Sequence, residues 1–331
     1  RKASSLVPTA IDPFSGGPIN PGQAFGALTD KSASFKQFEP KVTLSYKPND
    51  DLNIYGNWGI GFKSGGFNNQ GSAQLITNSF VNFFGANVKV NDQYKKEWSS
   101  AFEAGVKGNL ADGAVTFDLA GYYTQVHDMQ FFEFFVGGFG LLRVVSNIDK
   151  VDLWGAELNL NAKIVDGWTV FASGNITDSE IKANRSRPDT LGNKSPYTAD
   201  YTLNVGTQVS VPVSDALKAN FRADYRLTGP TWFHSVQENQ TINYFTDLSN
   251  VYGVPGFGFG PSEYSNTERD AYWKLNLRAG ISGEHWSLEV WSKNLTDEQY
   301  LEEIIPAPEF GGSFIHDSAG RISGVDLTYT F

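Results

Sequence analysis

The chain has 331 residues, of which 40% are hydrophobic, 14% aromatic and 19% charged, with a formal net charge of -10 and no cysteine. The aromatic content separates it from disordered chains, the acidity excludes the basic surface that nucleic-acid binding needs, and the missing thiols exclude disulfides, thiolate metal sites and a cysteine nucleophile. A mean hydropathy of -0.31 and the lack of any apolar run of about 18 residues exclude a helical membrane span, but not a barrel, whose strands alternate lipid-facing and water-facing side chains.

In chain order, residues 1–41 are rich in Pro, Gly and Ser and are expected to form a long loop or irregular segment. The opening Arg1-Lys2-Ala3-Ser4-Ser5 carries no apolar leader, so any export signal is expected upstream or already removed. From residue 42 onward the periodicity is two. Leu52, Ile54, Trp58, Ile60 and Phe62 alternate with Asn53, Tyr55, Asn57 and Lys63. Trp98, Phe102, Ala104 and Val106 then stand against Ser99, Glu103 and Lys107, and Val115, Phe117 and Leu119 against Thr116 and Asp118. Trp154, Ala156, Leu158 and Leu160 alternate with Glu157, Asn159 and Asn161, and Tyr201, Leu203, Val205 and Val209 with Thr202, Asn204 and Gln208. Leu217, Phe221, Ala223, Tyr225 and Leu227 face away from Lys218, Arg222, Asp224 and Arg226, and three last strands centre on Trp273–Ile281, Trp286–Asn294 and Val325–Phe331. Each is a strand with one greasy face.

The connections are unequal. Pro48–Asp51, Asn109–Gly113, Asp166-Gly167, Ser214-Asp215 and Ser282–Glu284 have hairpin-turn composition. The alternate connections, roughly 64–96, 126–151, 178–199, 228–271 and 295–320, are expected to be long structureless loops. Short turns at one end and long loops at the other suit a transmembrane barrel with periplasmic turns and extracellular loops. A strand of about 10 residues tilted by about 45° covers roughly 23 Å, the height of such a barrel's apolar band. Trp168 and Trp286 follow short turns, while Trp98, Tyr201 and Trp273 lie at the opposite strand ends, as an interfacial aromatic girdle requires. About eleven strands are readable, and because bacterial barrels close with an even number, the set reads as part of a larger barrel.

Specific strings carry a family resemblance. Tyr55 followed by Gly61-Phe62-Lys63-Ser64-Gly65-Gly66-Phe67, Glu97 with Glu103, Gly105 and Lys107, Asn147 with Gly155 and Glu157, and Asn294-Leu295-Thr296-Asp297 with Tyr300 resemble, in this order, segments of the TonB-dependent outer-membrane receptors. Two departures occur: Gly320-Arg321 stands where the family has Pro-Arg, and Asp326 stands where a glycine is usual before the terminal Phe331. The resemblance implies an all-β transmembrane antiparallel barrel of about 22 strands, of which residues 42–331 would be the C-terminal half, without the plug domain and N-terminal strands. It also implies the outer membrane of a Gram-negative bacterium, with outer-membrane lipid, the TonB complex, the barrel assembly machinery and a small solute such as a ferric chelate as partners. The implied activity is TonB-energised uptake of a scarce solute, by default a ferric siderophore, with vitamin B12-like or carbohydrate ligands equally compatible with the loops. A passive porin and a secreted all-β lectin or enzyme are the alternatives.

Sites are weighed on chemistry. In Gly59-Ile60-Gly61-Phe62-Lys63-Ser64, Phe62 stands where a phosphate loop needs Gly before the Lys, and no helix pattern follows. His127, His234, His285 and His316 show no ligand spacing, so no metal, cofactor or catalytic set is expected. Lys63, Glu103, Lys107, Glu157, Arg222, Asp224, Arg226, Glu289 and Lys293 fall on the polar parity and are expected to face a wet lumen or a plug. In the long loops Phe131, Phe132, Phe134, Phe135, Arg143, Arg185, Arg187, Trp232, His234, Tyr244, Tyr252 and Tyr264 are the candidate ligand contacts. Aromatic faces take rings and sugars, and arginine pairs with anionic chelates.

Overall fold

Alternating side chains joined by turns too short for a crossover dictate an antiparallel meander. The computed structural model describes residues 2–3, 31–69, 71–83, 85–137, 140–243, 262–264 and 267–331. One sheet holds eleven strands in chain order: β1 (Lys41–Asn49), β2 (Leu52–Lys63), β3 (Glu97–Leu110), β4 (Val115–Gly137), β5 (Gly140–Val165), β6 (Trp168–Ala183), β7 (Tyr201–Ser214), β8 (Leu217–Thr228), β9 (Tyr272–Ser282), β10 (Trp286–Lys293) and β11 (Ile322–Tyr329). The architecture is barrel-type, and among the described residues nothing pairs edge strand β1 with edge strand β11, so the barrel is open.

Register fixes the two faces, because directly opposed residues point the same way. One row runs Tyr46, Ile54, Val106, Leu119, Leu158, Gly174, Leu203, Leu227, Trp273 across nine strands. The row one residue away runs Asn53, Lys107, Asp118, Asn159, Ser173, Asn204, Arg226, Lys274 on the other face. The apolar face is uncovered: Leu119 is 47%, Val290 53% and Leu327 76% exposed. Trp168 and Trp286 lie on this face beside the short turns, and Trp98 stacks on His127 at 4.0 Å near the other end. An apolar surface this broad is unstable in water and stable against lipid.

On the polar face, large rings crowd against glycines. Tyr122 covers Gly155 and Trp291 covers Gly324, leaving no room for a Cβ at either position. Gly167 turns β5 into β6 with φ 81°, a left-handed conformation that costs glycine no steric clash.

The expected structureless loops are corrected: segment 64–96 carries a helix at Ser72–Ile76, segment 295–320 carries the paired strands Leu301–Ala307 and Gly312–Asp317, and 178–183 is the end of β6. Segment 126–151 is no structureless loop but the upper part of the β4–β5 hairpin, paired from His127↔Lys150 to Gly137↔Gly140. Its run of aromatic and β-branched residues favours extended pairing, and other loops cover it. The hairpin breaks phase at Asp128, where φ is 52°. Val126 and Val151 below the break share one cluster with Phe131, Ile148 and Ile181, so the inward parity of β4 changes from even to odd there.

The Asn294-Leu295-Thr296-Asp297 string is a capped turn. Asn294 and Asp297 adopt φ 50° and 57°. Asn294 Oδ1 accepts from the Glu298 N–H at 2.9 Å, and Asp297 Oδ1 accepts from the Arg321 N–H at 2.7 Å. Short amide and carboxylate side chains tolerate this conformation and bond the nearby backbone. The turn delivers Tyr300 onto Tyr272, stacked at 3.7 Å.

Candidate functional site

The long connections pack into a cap at one end of the sheet. Segment 64–95 carries a short helix, Ser72–Ile76, continued by a π-helical turn over Thr77–Asn82. Ile76, Phe80, Ala86, Val88 and Val90 bury themselves against Phe135 and Val144 of the β4–β5 hairpin. After β10, the chain forms a ribbon of Leu301–Ala307 paired with Gly312–Asp317.

The candidate ligand residues separate by position. Phe131, Phe135, Arg187, Trp232, His234 and Tyr264 are buried inside the cap. Phe132 and Phe134 are half-buried on the opposite face of the hairpin, where the exposed Arg143 guanidinium lies 4.4 Å from the Phe132 ring centre. Arg185 is exposed and donates from Nε to Asp149 at 2.9 Å. Tyr244 and Tyr252 lie outside the described residues. A partly open cavity of about 600 Å³ collects Lys89, Asp92, Lys95, Asn147, Asp149 and Arg185. Lys95 Nζ sits 2.6 Å from Asp128 and 3.6 Å from Asp149.

Four charged or polar side chains meet in the cap's interior. Arg187 donates from Nε to Glu133 Oε1 at 2.7 Å and from Nη1 to Glu309 Oε1 at 2.6 Å. Burial opposes the Arg187 charge, but Glu133 and Glu309 outweigh it and raise its pKa above the usual arginine value. His234 Nδ1 accepts from the Val236 N–H at 3.0 Å, which places the proton of the neutral ring on Nε2. Burial, then the Arg187 charge, holds the imidazole well below 6.5 despite Glu133 at 3.8 Å.

A histidine buried neutral binds fewer protons folded than unfolded. Its contribution to stability is therefore complete above pH 6.5 and declines as pH falls below it. Amide exchange of 233–237, corrected for intrinsic pH dependence, is expected to accelerate below pH 6.5 in the wild type and not in His234→Phe. Equal acceleration in both contradicts the assignment.

Lys107 pairs with Asp118 at 2.6 Å and Arg222 with Asp224 at 2.7 Å, while Arg278 reaches Glu289 at 2.6 Å and Asp326 at 3.3 Å. Lys63 lies opposite Glu97, Glu157 opposite Ala120, Arg226 opposite Lys274, and Glu103 accepts from Asn57 Nδ2 at 3.4 Å. Lys293 Nζ is 5.6 Å from the Trp291 ring centre.

Glu133, Glu309, Arg278 and Tyr197 escape sequence reasoning, as do Lys89, Asp92, Lys95 and Asp149 of the cavity. Glu133 interrupts an aromatic pentad, and a lone charge there signals a buried partner; Arg278 shares the parity of Lys274 and Asn276. Glu309 and Tyr197 carry no such signal. Tyr197 holds φ 59° and sits 6.0 Å from Phe132 and 5.3 Å from Phe233. Burial, with Glu303 nearby, pushes its phenol up to about 12.

Residues 12–295 match the family described as TonB dependent receptor-like, beta-barrel. The pesticin receptor of Yersinia enterocolitica is 27% identical over 207 residues, 62% of this chain and 27% of that protein's length, and the Yersinia pestis pesticin receptor is 26% identical over the same span. The chain thus spans about a quarter of the length of these relatives. Among solved structures, the ferric yersiniabactin uptake receptor FyuA from Yersinia pestis superposes with TM-score 0.63 at 20% identity, covering 88% of this chain and 37% of that one. The ferric-catecholate import receptor Fiu from E. coli K12 gives 0.57 at 16% identity, covering 93% and 37%. The ferripyoverdine receptor of the Pseudomonas aeruginosa outer membrane gives 0.56 at 15% identity, covering 88% and 33%.

Proposed function

The chain belongs to the TonB dependent receptor-like β-barrel family of the Gram-negative outer membrane, and from that membership we propose that it is part of a receptor for TonB-energised uptake of a ferric siderophore. Residues 42–331 would supply the C-terminal half of the barrel, and the plug and TonB-contacting segment would come from the rest of the protein. The observation that carries the reading is the combination of an uncovered apolar face across the strands with a packed loop cap at one end of the sheet. A transporter of this kind breaks no bond in its solute, so the reading assigns no catalytic residues.

Ferric chelates are favoured because three structural neighbours are named for ferric yersiniabactin, ferric catecholate and ferripyoverdine. A copper transporter, OprC, shares the fold at TM-score 0.57, so solute choice falls to the loops. Arg143, Arg185 and the cavity beside Lys89 and Lys95 are the accessible cationic groups suited to an anionic chelate. Lys63, Glu103, Lys107, Glu157, Arg222, Asp224, Arg226, Glu289 and Lys293 would face the plug or lumen water.

The test is equilibrium binding to the full-length receptor. Ferric chelates are expected to bind at micromolar concentration or tighter, with Arg185→Ala weakening binding about tenfold by removing a charge-assisted contact worth about 1.4 kcal/mol. Binding of a glycan or of copper ion, with none of any ferric chelate, contradicts the iron reading. Uptake that persists without TonB points to a passive channel.

A further inference from the structure

Four elements far apart in sequence meet at one buried charged cluster. Glu133 comes from the β4–β5 hairpin, Arg187 from the loop after β6, His234 from the loop after β8 and Glu309 from the ribbon after β10. Arg187 binds the first and last of these, 54 and 122 residues away, with all three side chains at most 4% exposed. Neutral hydrogen bonds join the same elements around it. Asn193 Nδ2 donates to the Ser235 carbonyl at 2.7 Å, Asn239 Nδ2 to the Asp189 carbonyl at 2.7 Å, and Tyr264 Oη to the Pro308 carbonyl at 2.9 Å.

We propose that this cluster is a clasp that makes the β4–β5 hairpin and the loops after β6, β8 and β10 one cap moving as a unit, with Arg187 as its pin. A guanidinium shared by carboxylates on two separate elements is cooperative. Lifting either element alone strands one carboxylate's partner in a dry interior, with the neutral His234 ring as the remaining polar neighbour. Partial opening is therefore disfavoured relative to both the closed cap and a cap opened throughout. The closed state is also not perfectly satisfied. Arg187 Nη2, His234 Nε2 and Glu309 Oε2 find no hydrogen-bond partner among the described residues. Opening gives each of them solvent, which favours a reversible clasp over a permanent staple. Two discrete arrangements of a packed element are what a gating motion requires. The proposal rests on the cluster's geometry and not on which solute is carried.

The experiment is hydrogen–deuterium exchange of the full-length receptor in detergent, comparing wild type with Arg187→Met and with Arg185→Met as an exposed control. Arg187→Met is expected to raise exchange at least tenfold together in peptides covering 129–148, 184–190, 231–237 and 301–309. Arg185→Met is expected to affect only peptides near 149 and 185. Acceleration confined to 184–190 in Arg187→Met overturns the clasp. Unchanged exchange in β7 and β8, with heat-modifiable gel migration, shows that the sheet has folded. If Arg187→Met does not fold, Glu309→Gln keeps the shape and removes one charge. It is expected to loosen all four segments, and loosening of 301–309 alone overturns the proposal.

Discussion

Replacing Leu119 with arginine is expected to destabilise the folded barrel by about 2 kcal/mol, the cost of a charge on the lipid-facing side between the bilayer midplane and an interface. Leu119 stands in the row between Val106 and Leu158, four residues into β4 and eight before His127, and is 47% exposed. At a site this exposed in a water-soluble protein, the same change would shift stability by no more than about 0.5 kcal/mol. Asn159, one position from Leu158 and on the face of Asp118, provides the matched control. Asn159→Arg places its charge on the wetted side and is expected to cost less than about 1 kcal/mol. Denaturant unfolding of the full-length receptor in lipid vesicles measures both. Equal costs, or a larger cost at Asn159, would reverse the assignment of the faces.

The second large effect concerns glycines under rings. Gly155→Ala and Gly324→Ala are each expected to cost about 1–3 kcal/mol through overpacking. The cause differs, and a double-mutant cycle exposes the difference. At Gly324 the three atoms nearest the new Cβ all belong to the Trp291 indole, the first 2.5 Å away. Trp291→Ala is therefore expected to recover most of the Gly324→Ala loss. At Gly155 the new methyl would press into both the Tyr122 ring and the Ile176 carbonyl oxygen. Backbone cannot step aside as a ring can, so Tyr122→Ala is expected to recover little. Full recovery at Gly155, or none at Gly324, contradicts this account of why glycine occupies the two positions.

Most of the sheet was legible because a period of two survives wherever one face meets lipid and the other water. Leu158 and Asn159 could be assigned to opposite faces from alternation alone, and Asp166-Gly167 could be read as a turn from its composition. The hairpin above Asp128 was not legible for the same reason. Above Asp128 one face of β4 and β5 is buried in the cap and the other keeps the half-buried Phe132 and Phe134, so Phe131–Phe135 no longer alternates, and a single left-handed residue resets the phase without a mark in the hydropathy. The cap posed a harder case. Arg187, His234 and Tyr264 look like solute contacts when only residue type and loop position are known, yet folding turns them inward because Glu133, Glu309 and the ribbon after β10 meet them. Those contacts span up to 122 residues, and local pattern holds no information about them. Asp326, a departure from the family pattern, is accounted for by its pairing with Arg278.

Which side chains touch lipid can be measured directly, because these 331 residues hold no cysteine to compete for a label. Single cysteines at positions 158, 159 and 160, spin-labelled in vesicles in the full-length receptor with any cysteine outside these 331 residues replaced, report collisions with oxygen, which concentrates in the bilayer, and with a water-soluble nickel chelate. Lipid contact by the even positions predicts high oxygen and low nickel accessibility at 158 and 160, with the ratio inverted at 159. The same ratio at all three positions, or the opposite alternation, would contradict it.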